Sequence, residues 1–154
     1  MKLFAKTGIA KLWIIFMLIS LSMVSVSAVT YAVPHKIGEK FGGGIVFYVD
    51  GTGEHGLISA ASDLDLSMDW DRAKIECKNL KTNGFIDWRL PTRAELNQLY
   101  INKAVVGGFT DLIYWSSTEG KANRVWFQYF DNSGVQSGDF SRSSIIRVRP
   151  VRDF

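Results

Sequence analysis

The sequence has few of the residue types on which most catalytic and metal sites depend. Its 154 residues include one Cys, two His and three Pro. A single cysteine excludes an internal disulfide and every motif of paired cysteines. The histidines, His35 and His55, lack the spacing of a zinc-protease helix, and the sequence contains no phosphate-binding loop, dinucleotide fingerprint or nucleophile elbow. We therefore expect no catalytic residue, no metal and no cofactor.

An excess of charge of one sign is also lacking once the amino-terminal segment is set aside. The chain has 18 Lys and Arg against 15 Asp and Glu, but Lys2, Lys6 and Lys11 all precede the first acidic residue, Glu39. The remaining sequence therefore has equal numbers of basic and acidic residues. A neutral domain lacks the net positive charge that is typical of nucleic-acid-binding domains. We expect no nucleic-acid partner.

The one long apolar run of the sequence lies at the amino terminus. Leu12–Val26 follows the three lysines and leads into the small residues Ser27 and Ala28, a pattern typical of secretory signal peptides. A run of about 15 residues is short for a membrane span. This predicts a cleaved signal peptide at 1–28, a short linker at 29–36 and one domain at 37–154. Cleavage after Ala32 and an uncleaved anchor are the alternatives. The expected location is secreted, periplasmic or on the cell surface.

Helical periodicity occurs in two places in the predicted domain. Trp70, Ala73, Cys77 and Leu80 recur at helical spacing, which predicts a helix over about residues 69–81. Cys77 is then a buried free thiol on the apolar stripe, and an intermolecular disulfide is the alternative. Thr92 and Glu95 form a capping-box pattern that predicts the start of a second helix.

Strand-like runs occupy much of the rest of the domain. Two of them flank the turn sequence Asp50–Gly53 and predict a hairpin over residues 44–61. The Ser- and Gly-rich stretch Val135–Ser144 is predicted to be a surface loop. Further strands are predicted at Ile113–Ser117, Arg124–Phe130 and Ile145–Val151. The fold class is therefore α+β, with two short helices packed against a largely antiparallel sheet.

Two groups of residues have both a structural and a functional interpretation. Four aspartates lie at the approach to the first helix and at its start, where acidic residues favour the positive end of the helix dipole; a calcium site is the alternative. They are Asp63, Asp65, Asp69 and Asp71. Trp115 and Trp126 lie in predicted strands and are expected in the core, although their indole rings could instead stack on sugars.

The order of several motifs resembles a known family. Trp88–Thr92 reads WRLPT, Tyr114–Glu119 reads YWSSTE and Val148–Arg152 reads VRPVR. In this order they are similar to the C-terminal domain of the Legionella collagen-like adhesin family, which is related to the Fibrobacter major paralogous domain. The resemblance covers about residues 37–154. It implies a C-type-lectin-like fold, binding of sulfated polysaccharide and a homo-oligomer, namely a trimer. Neither a collagen repeat nor the calcium-binding motif of C-type lectins is present in the sequence.

The last third of the chain is locally basic and is the predicted ligand-binding region. Its candidate ligand-binding residues are Lys121, Arg124, Arg142, Arg147 and Arg149. Arginine presents a planar set of donors that matches sulfate and carboxylate groups. Arg147 and Arg149 are two positions apart and would share one face of the predicted strand. Alternatively, Arg149 and Arg152 pair internally with Glu95 or Glu119. Lys121, Arg124 and Arg142 are expected to face solvent.

Three functional hypotheses follow from the sequence. The first is an exported, non-catalytic adhesion module that binds a polyanionic glycan. The second is a structural or protein-interaction domain of the periplasm or envelope that has an envelope protein as its partner and binds no sugar. The third is an enzyme of unrecognised chemistry, for which Cys77 and His55 are the visible candidates.

Overall fold

Within residues 33–154, the hydrophobic runs and turn residues of the sequence form three short helices and two antiparallel sheets. The structure is a computed structural model that describes residues 33–154, so the predicted signal peptide and the first part of the predicted linker lie outside the described residues. In chain order the elements are β1 Lys40–Phe41, β2 Gly44–Val49, β3 Gly56–Ser59, α1 Trp70–Asn79, α2 Arg93–Ile101, α3 Lys103–Val106, β4 Ile113–Glu119, β5 Arg124–Tyr129, β6 Gln136–Ser141 and β7 Val151–Asp153. The α+β class is confirmed, with a third helix and a second sheet added.

The first sheet has the strand order β1-β2-β3-β7 and contains the predicted hairpin. Local turn chemistry closes that hairpin, because the Asp50 carboxylate accepts hydrogen bonds from the backbone N–H of Thr52 at 2.9 Å and of Gly53 at 3.0 Å. Strand β7 pairs antiparallel with β3, with Leu57 opposite Asp153. The carboxyl terminus of the chain is thereby fixed to the hairpin.

The second sheet has the order β4-β5-β6. One of its strands shows that a prediction from the sequence was wrong. The stretch Val135–Ser144 is not simply a surface loop, because Gln136–Ser141 forms β6 and pairs with β5. Its Ser and Gly content gives little intrinsic β preference, so the strand depends on its neighbour. Gly138 is needed where the Trp126 ring covers the backbone, since a Cβ at that position would lie 2.7 Å from the indole.

The structure of residues 145–150, just before β7, shows that a second prediction was wrong. Only Val151–Asp153 of the carboxyl-terminal region is a regular strand, and the predicted strand Ile145–Val151 is replaced by isolated bridges such as Tyr114 with Arg147. Val148, Arg149 and Pro150 are buried in succession. Burial of consecutive residues removes the alternation that would have placed Arg147 and Arg149 together on an open face.

The two longer helices begin where the sequence predicts. Asp69 caps α1 by accepting from the backbone N–H of Arg72, and Thr92 with Glu95 completes the capping box of α2. The buried stripe of α1, Trp70, Ala73 and Cys77, packs in one core cluster together with Trp115 and Phe127. Leu96 and Leu99 of α2 pack in a second cluster with Phe47, Tyr114 and Phe130, and Trp88 lies in a third. Among the described residues, no helix is long and apolar enough to cross a membrane.

Candidate functional site

Arg149 lies inside the molecule and cannot contact a ligand. Its side chain is 0% exposed, and its Nε donates to Asp63 Oδ1 at 2.7 Å. The other guanidinium nitrogens donate to the carbonyl oxygens of Ala60, Gly107 and Gly108 at 2.7–3.2 Å. The prediction that Arg149 binds a ligand is therefore wrong, because the side chain is buried and each of its three guanidinium nitrogens is used to connect segments of the core.

The internal-pairing alternative is correct for two arginines, but with partners other than those predicted. Arg152 donates to both carboxylate oxygens of Asp87, at 2.8 and 3.0 Å, and these hydrogen bonds hold the pKa of Asp87 below its usual value. Arg149 takes Asp63 as its partner. Neither arginine pairs with Glu95 or Glu119 within residues 33–154, because Arg89 holds Glu95 and Arg142 holds Glu119.

Arg142 is less exposed than the sequence predicts. Only 23% of its side chain is accessible, and it forms ion pairs with Glu119 at 2.7 Å and Asp71 at 3.6 Å. Its guanidinium carbon lies 4.3 Å from the ring centroid of Trp70, within cation–π range. Burial against α1 replaces the expected solvent-facing position, although Nε still has no hydrogen-bond partner in the described part of the chain.

Lys121 and Arg124 are exposed, as predicted; Lys121 lies in the turn between β4 and β5, and Arg124 is the first residue of β5. Between them Ala122 and Asn123 take left-handed backbone conformations, with φ of 49° and 60°, which turn the chain tightly. Arg124 approaches Asp139 at 3.7 Å while 46% of its side chain stays accessible. Within residues 33–154, no carboxylate lies within 4.0 Å of the Lys121 ammonium. These two residues therefore offer positive charge to solvent.

The structure brings together three of the five predicted ligand-binding residues. Arg124 pairs with Ser141 across β5 and β6, so Lys121, Arg124 and Arg142 lie at one end of the second sheet; we call these three residues the cationic edge. Arg147 does not join them. It is half-buried, its backbone bonds to that of Ile113, and it forms no ion pair with the described residues.

A groove between α1 and α2 was missed by sequence reasoning. It has a volume of about 290 Å³ and lies beside the ion pair of Arg89 with Glu95, in which the nearest atoms are 2.7 Å apart. We call it the α1–α2 groove; its lining residues are Lys74, Lys78, Arg89, Leu90, Thr92, Glu95 and Ser117. The i, i+4 spacing of Lys74 and Lys78 was the available signal, since it predicts a shared helix face.

The Arg89–Glu95 pair stays ionised at neutral pH. Burial alone would raise the pKa of Glu95, but the hydrogen bonds from Arg89 and from the Thr92 backbone outweigh burial and lower it. The hydrogen bond to Glu95 raises the pKa of Arg89 further above its already high value. This pair contributes no net charge to the groove, so the two lysines determine its sign.

Lys74 lines the groove and also contacts Trp70, the aromatic side chain against which Arg142 packs. Its ammonium nitrogen lies 4.1 Å from the Trp70 ring centroid, and the same indole is contacted by Arg142. Trp70 itself is only 1% exposed and donates from Nε1 to the Ser116 carbonyl oxygen at 2.8 Å. A rigid, buried indole thus positions two cations at the surface, one in the groove and one in the cationic edge.

Three of the four aspartates at the approach to α1 have different structural tasks. Asp63 binds Arg149, Asp69 caps α1 and Asp71 faces Arg142. Across residues 33–154, no three His, Cys, Asp or Glu side chains are grouped so that they could hold a metal ion. The helix-start interpretation thus accounts for Asp69, and Asp63 and Asp71 are used as ion-pair partners.

Cys77 and the two strand tryptophans have distinct environments. Cys77 is a free, buried thiol, as predicted, and burial raises its pKa to about 12. Trp115 is fully buried, which confirms its place in the core. Trp126 is only half-buried, and its ring lies 3.6 Å from the Arg93 guanidinium. The expectation that Trp126 lies in the core is therefore wrong, because its strand face meets α2 rather than the interior.

Fold and site together define a small α+β domain with an aromatic core, no reactive cluster among its described residues and a set of surface cations along one side. The sequence model of the Lcl C-terminal domain matches residues 54–152. The chain therefore belongs to this family, that of the C-terminal domain of the Legionella collagen-like protein, and the resemblance seen in the sequence is confirmed. A search of curated proteins finds no match.

Proposed function

We propose that this protein is an exported, non-catalytic adhesion module that binds polyanionic glycans, such as sulfated polysaccharide, at the cell envelope. The observation that carries the proposal is the cationic edge, where Lys121 and Arg124 face solvent beside Arg142. Membership of an adhesin domain family supports it. The C-type-lectin-like fold and the trimer that the resemblance implies belong to the same proposal.

The chemistry of the edge suits sulfate and carboxylate groups better than neutral sugars. Guanidinium and ammonium groups donate hydrogen bonds and accept none, so they discriminate by charge. The carboxylates Glu119, Asp71 and Asp139 match the three cations in number. Arg124 is nevertheless 3.7 Å from its partner and Lys121 has none among the described residues, so these two side chains stay available to an anion. Binding is expected to be moderate in strength and sensitive to salt.

Retention on a heparin column in low salt tests this proposal. We expect the protein without residues 1–28 to be retained and to elute as salt rises, because exposed charge contacts are screened. Lys121→Gln together with Arg124→Gln should elute at clearly lower salt. Lys36→Gln with Lys40→Gln removes the same charge from exposed residues before and within β1 and is the matched control. No retention of the unmodified protein at low salt would exclude a polyanion ligand.

A second function is favoured by a different feature, the exposed apolar side chains of α2 and α3. Ile101 is 62% exposed and Val105 is 57% exposed, at i, i+4 positions along the chain. Together with the neutral net charge, this suits an envelope domain that binds another protein. Absence of binding on a glycan array, combined with a stoichiometric protein partner that is lost in Ile101→Ser, would favour this function over glycan binding.

A further inference from the structure

We propose that the α1–α2 groove binds one sulfate or carboxylate group of an acidic glycan, with Lys74 and Lys78 as its charged contacts. This inference rests on the proposed function and extends it to residues outside the basic carboxyl-terminal third. The groove lies next to the cationic edge through Trp70, whose ring contacts both Lys74 and Arg142. A chain of anionic sugars could therefore contact the edge and the groove together.

The first support is uncompensated charge. Lys74 and Lys78 are four residues apart on α1, where like charges repel. The carboxylates close to them are already engaged: Asp71 with Arg142, Glu76 with Arg72 and Glu95 with Arg89. Within the described chain, neither lysine has a carboxylate within 4.0 Å. An anion in the groove would relieve this repulsion.

The second support is a pair of hydroxyl groups opposite the lysines. Thr92 Oγ1 accepts from the Glu95 backbone N–H, which leaves its own hydroxyl proton free to donate. Ser117 also lines the groove, and within residues 33–154 only its backbone N–H, not its hydroxyl, is hydrogen-bonded. Its position is fixed instead by its backbone N–H, which donates to the Pro91 carbonyl oxygen at 2.7 Å. Ammonium and hydroxyl donors on two sides suit an anion with several oxygen atoms.

The third support is shape. The groove volume of about 290 Å³ is near the lower limit for ligand pockets, about 300 Å³. It can hold an anionic group and part of the sugar that carries it. Leu90 forms an apolar part of the lining, so a bound group would be partly shielded from water on that side. Partial shielding strengthens charge-assisted hydrogen bonds.

Two probes, inorganic sulfate and a sulfated oligosaccharide, test whether the groove binds a free anion or an anionic group carried by a glycan. In the first arm, sodium sulfate is titrated into the protein without residues 1–28 at constant ionic strength, with chloride as the balancing salt, and backbone amide shifts are followed by NMR. We expect saturable shifts around Lys74–Lys78, Thr92 and Ser117. They should vanish in Lys74→Gln/Lys78→Gln, persist in Lys36→Gln/Lys40→Gln and return in Lys74→Arg/Lys78→Arg. Equal shifts in chloride alone would overturn the inference.

In the second arm, binding of a heparin-derived tetrasaccharide is measured by calorimetry. Loss of both lysines should weaken the Kd about tenfold or more, as expected for a lost charge-assisted contact. Tetrasaccharide binding that is unchanged in Lys74→Gln/Lys78→Gln would overturn the groove as a glycan subsite and leave the proposed function standing. Saturable sulfate binding without tetrasaccharide binding would instead refute the proposed function and support the groove as an anion site. Circular dichroism of each variant checks that α1 stays folded.

Discussion

At the scale of single residues, the arginines of this domain act mainly as connectors between distant segments. Arg149 joins Asp63, 86 positions away in sequence, and Arg152 joins Asp87, 65 positions away. Arg89 contacts both Glu95 and Asp153. A buried guanidinium tolerates dehydration only when its donors are satisfied, which is why Arg149 also collects three carbonyl oxygens.

The buried ion pair gives the sharpest prediction at this scale. In Arg149→Met, the Asp63 carboxylate, whose side chain is only 9% exposed, would lose its ion-pair partner and retain only the hydrogen bond from the Tyr114 hydroxyl. We expect the free energy of unfolding to fall by about 3–5 kcal/mol, as for other broken buried pairs. Urea denaturation measures the loss. Arg124→Met is the matched control and should cost at most about 1 kcal/mol, since its ion pair is exposed. Similar losses for the two variants would contradict the assignment of Arg149 as a buried structural residue.

At the scale of secondary-structure elements, α1 connects the core to the candidate site. One face buries Trp70, Ala73 and Cys77, while Lys74 and Lys78 line the groove. The position of both lysines therefore depends on where the helix begins. Asp69 sets that point through a hydrogen bond of 3.0 Å from the Arg72 backbone N–H.

Removal of the α1 cap tests this dependence. Asp69→Ala leaves the first-turn N–H groups of α1 unsatisfied, and we expect a loss of about 1 kcal/mol in unfolding free energy. Asp69→Ser keeps a capping oxygen and should recover most of it. Thermal and urea unfolding of the two variants provide the comparison. An equal loss in both would show that the charge of Asp69, rather than its cap, stabilises the helix.

At the scale of the whole molecule, ionised carboxylates in ion pairs and turns make the stability of the domain dependent on pH. The pKa of Glu95 is lowered from 4.5 by Arg89 and Thr92, and the pKa of Asp87 is lowered from 3.8 by Arg152. A carboxylate with a lowered pKa in the folded state stabilises the protein above its unfolded-state pKa. That stabilisation is lost as the pH falls through the folded-state value.

We therefore expect the free energy of unfolding to be highest near neutral pH and to fall as the pH drops below about 4.5, the ordinary pKa of Glu95. Glu95→Gln should lower stability at pH 7 and flatten the decline in acid. Glu54→Gln is the control, because the Glu54 carboxylate is exposed and makes no ion pair with residues 33–154. Urea denaturation from pH 7 to pH 3 measures both. A decline in Glu95→Gln as steep as in the unmodified protein would contradict the role given to Glu95.

Features that depend on neighbours in the chain could be predicted from the sequence. The cap of α2, the hairpin turn at Asp50 and the buried stripe around Cys77 all follow from local hydrogen bonds or from helical periodicity. Strand β6 could not be predicted, because Gln136–Ser141 has weak β preference and is a strand only through pairing with β5. The ion-pair partner of Arg149 could not be predicted either, because no local pattern links Arg149 to Asp63.

The sequence by itself determined the α+β class, the family and the aromatic core, because hydrophobic periodicity and motif order are properties of the linear sequence. Tertiary structure alone decided which cations are available. In the folded protein, Arg149 is buried and Arg142 forms ion pairs, whereas Lys121 and Arg124 stay at the surface and Lys74 and Lys78 line a groove. The availability of a charge depends on the carboxylates and solvent around it in space, and those neighbours come from distant parts of the chain.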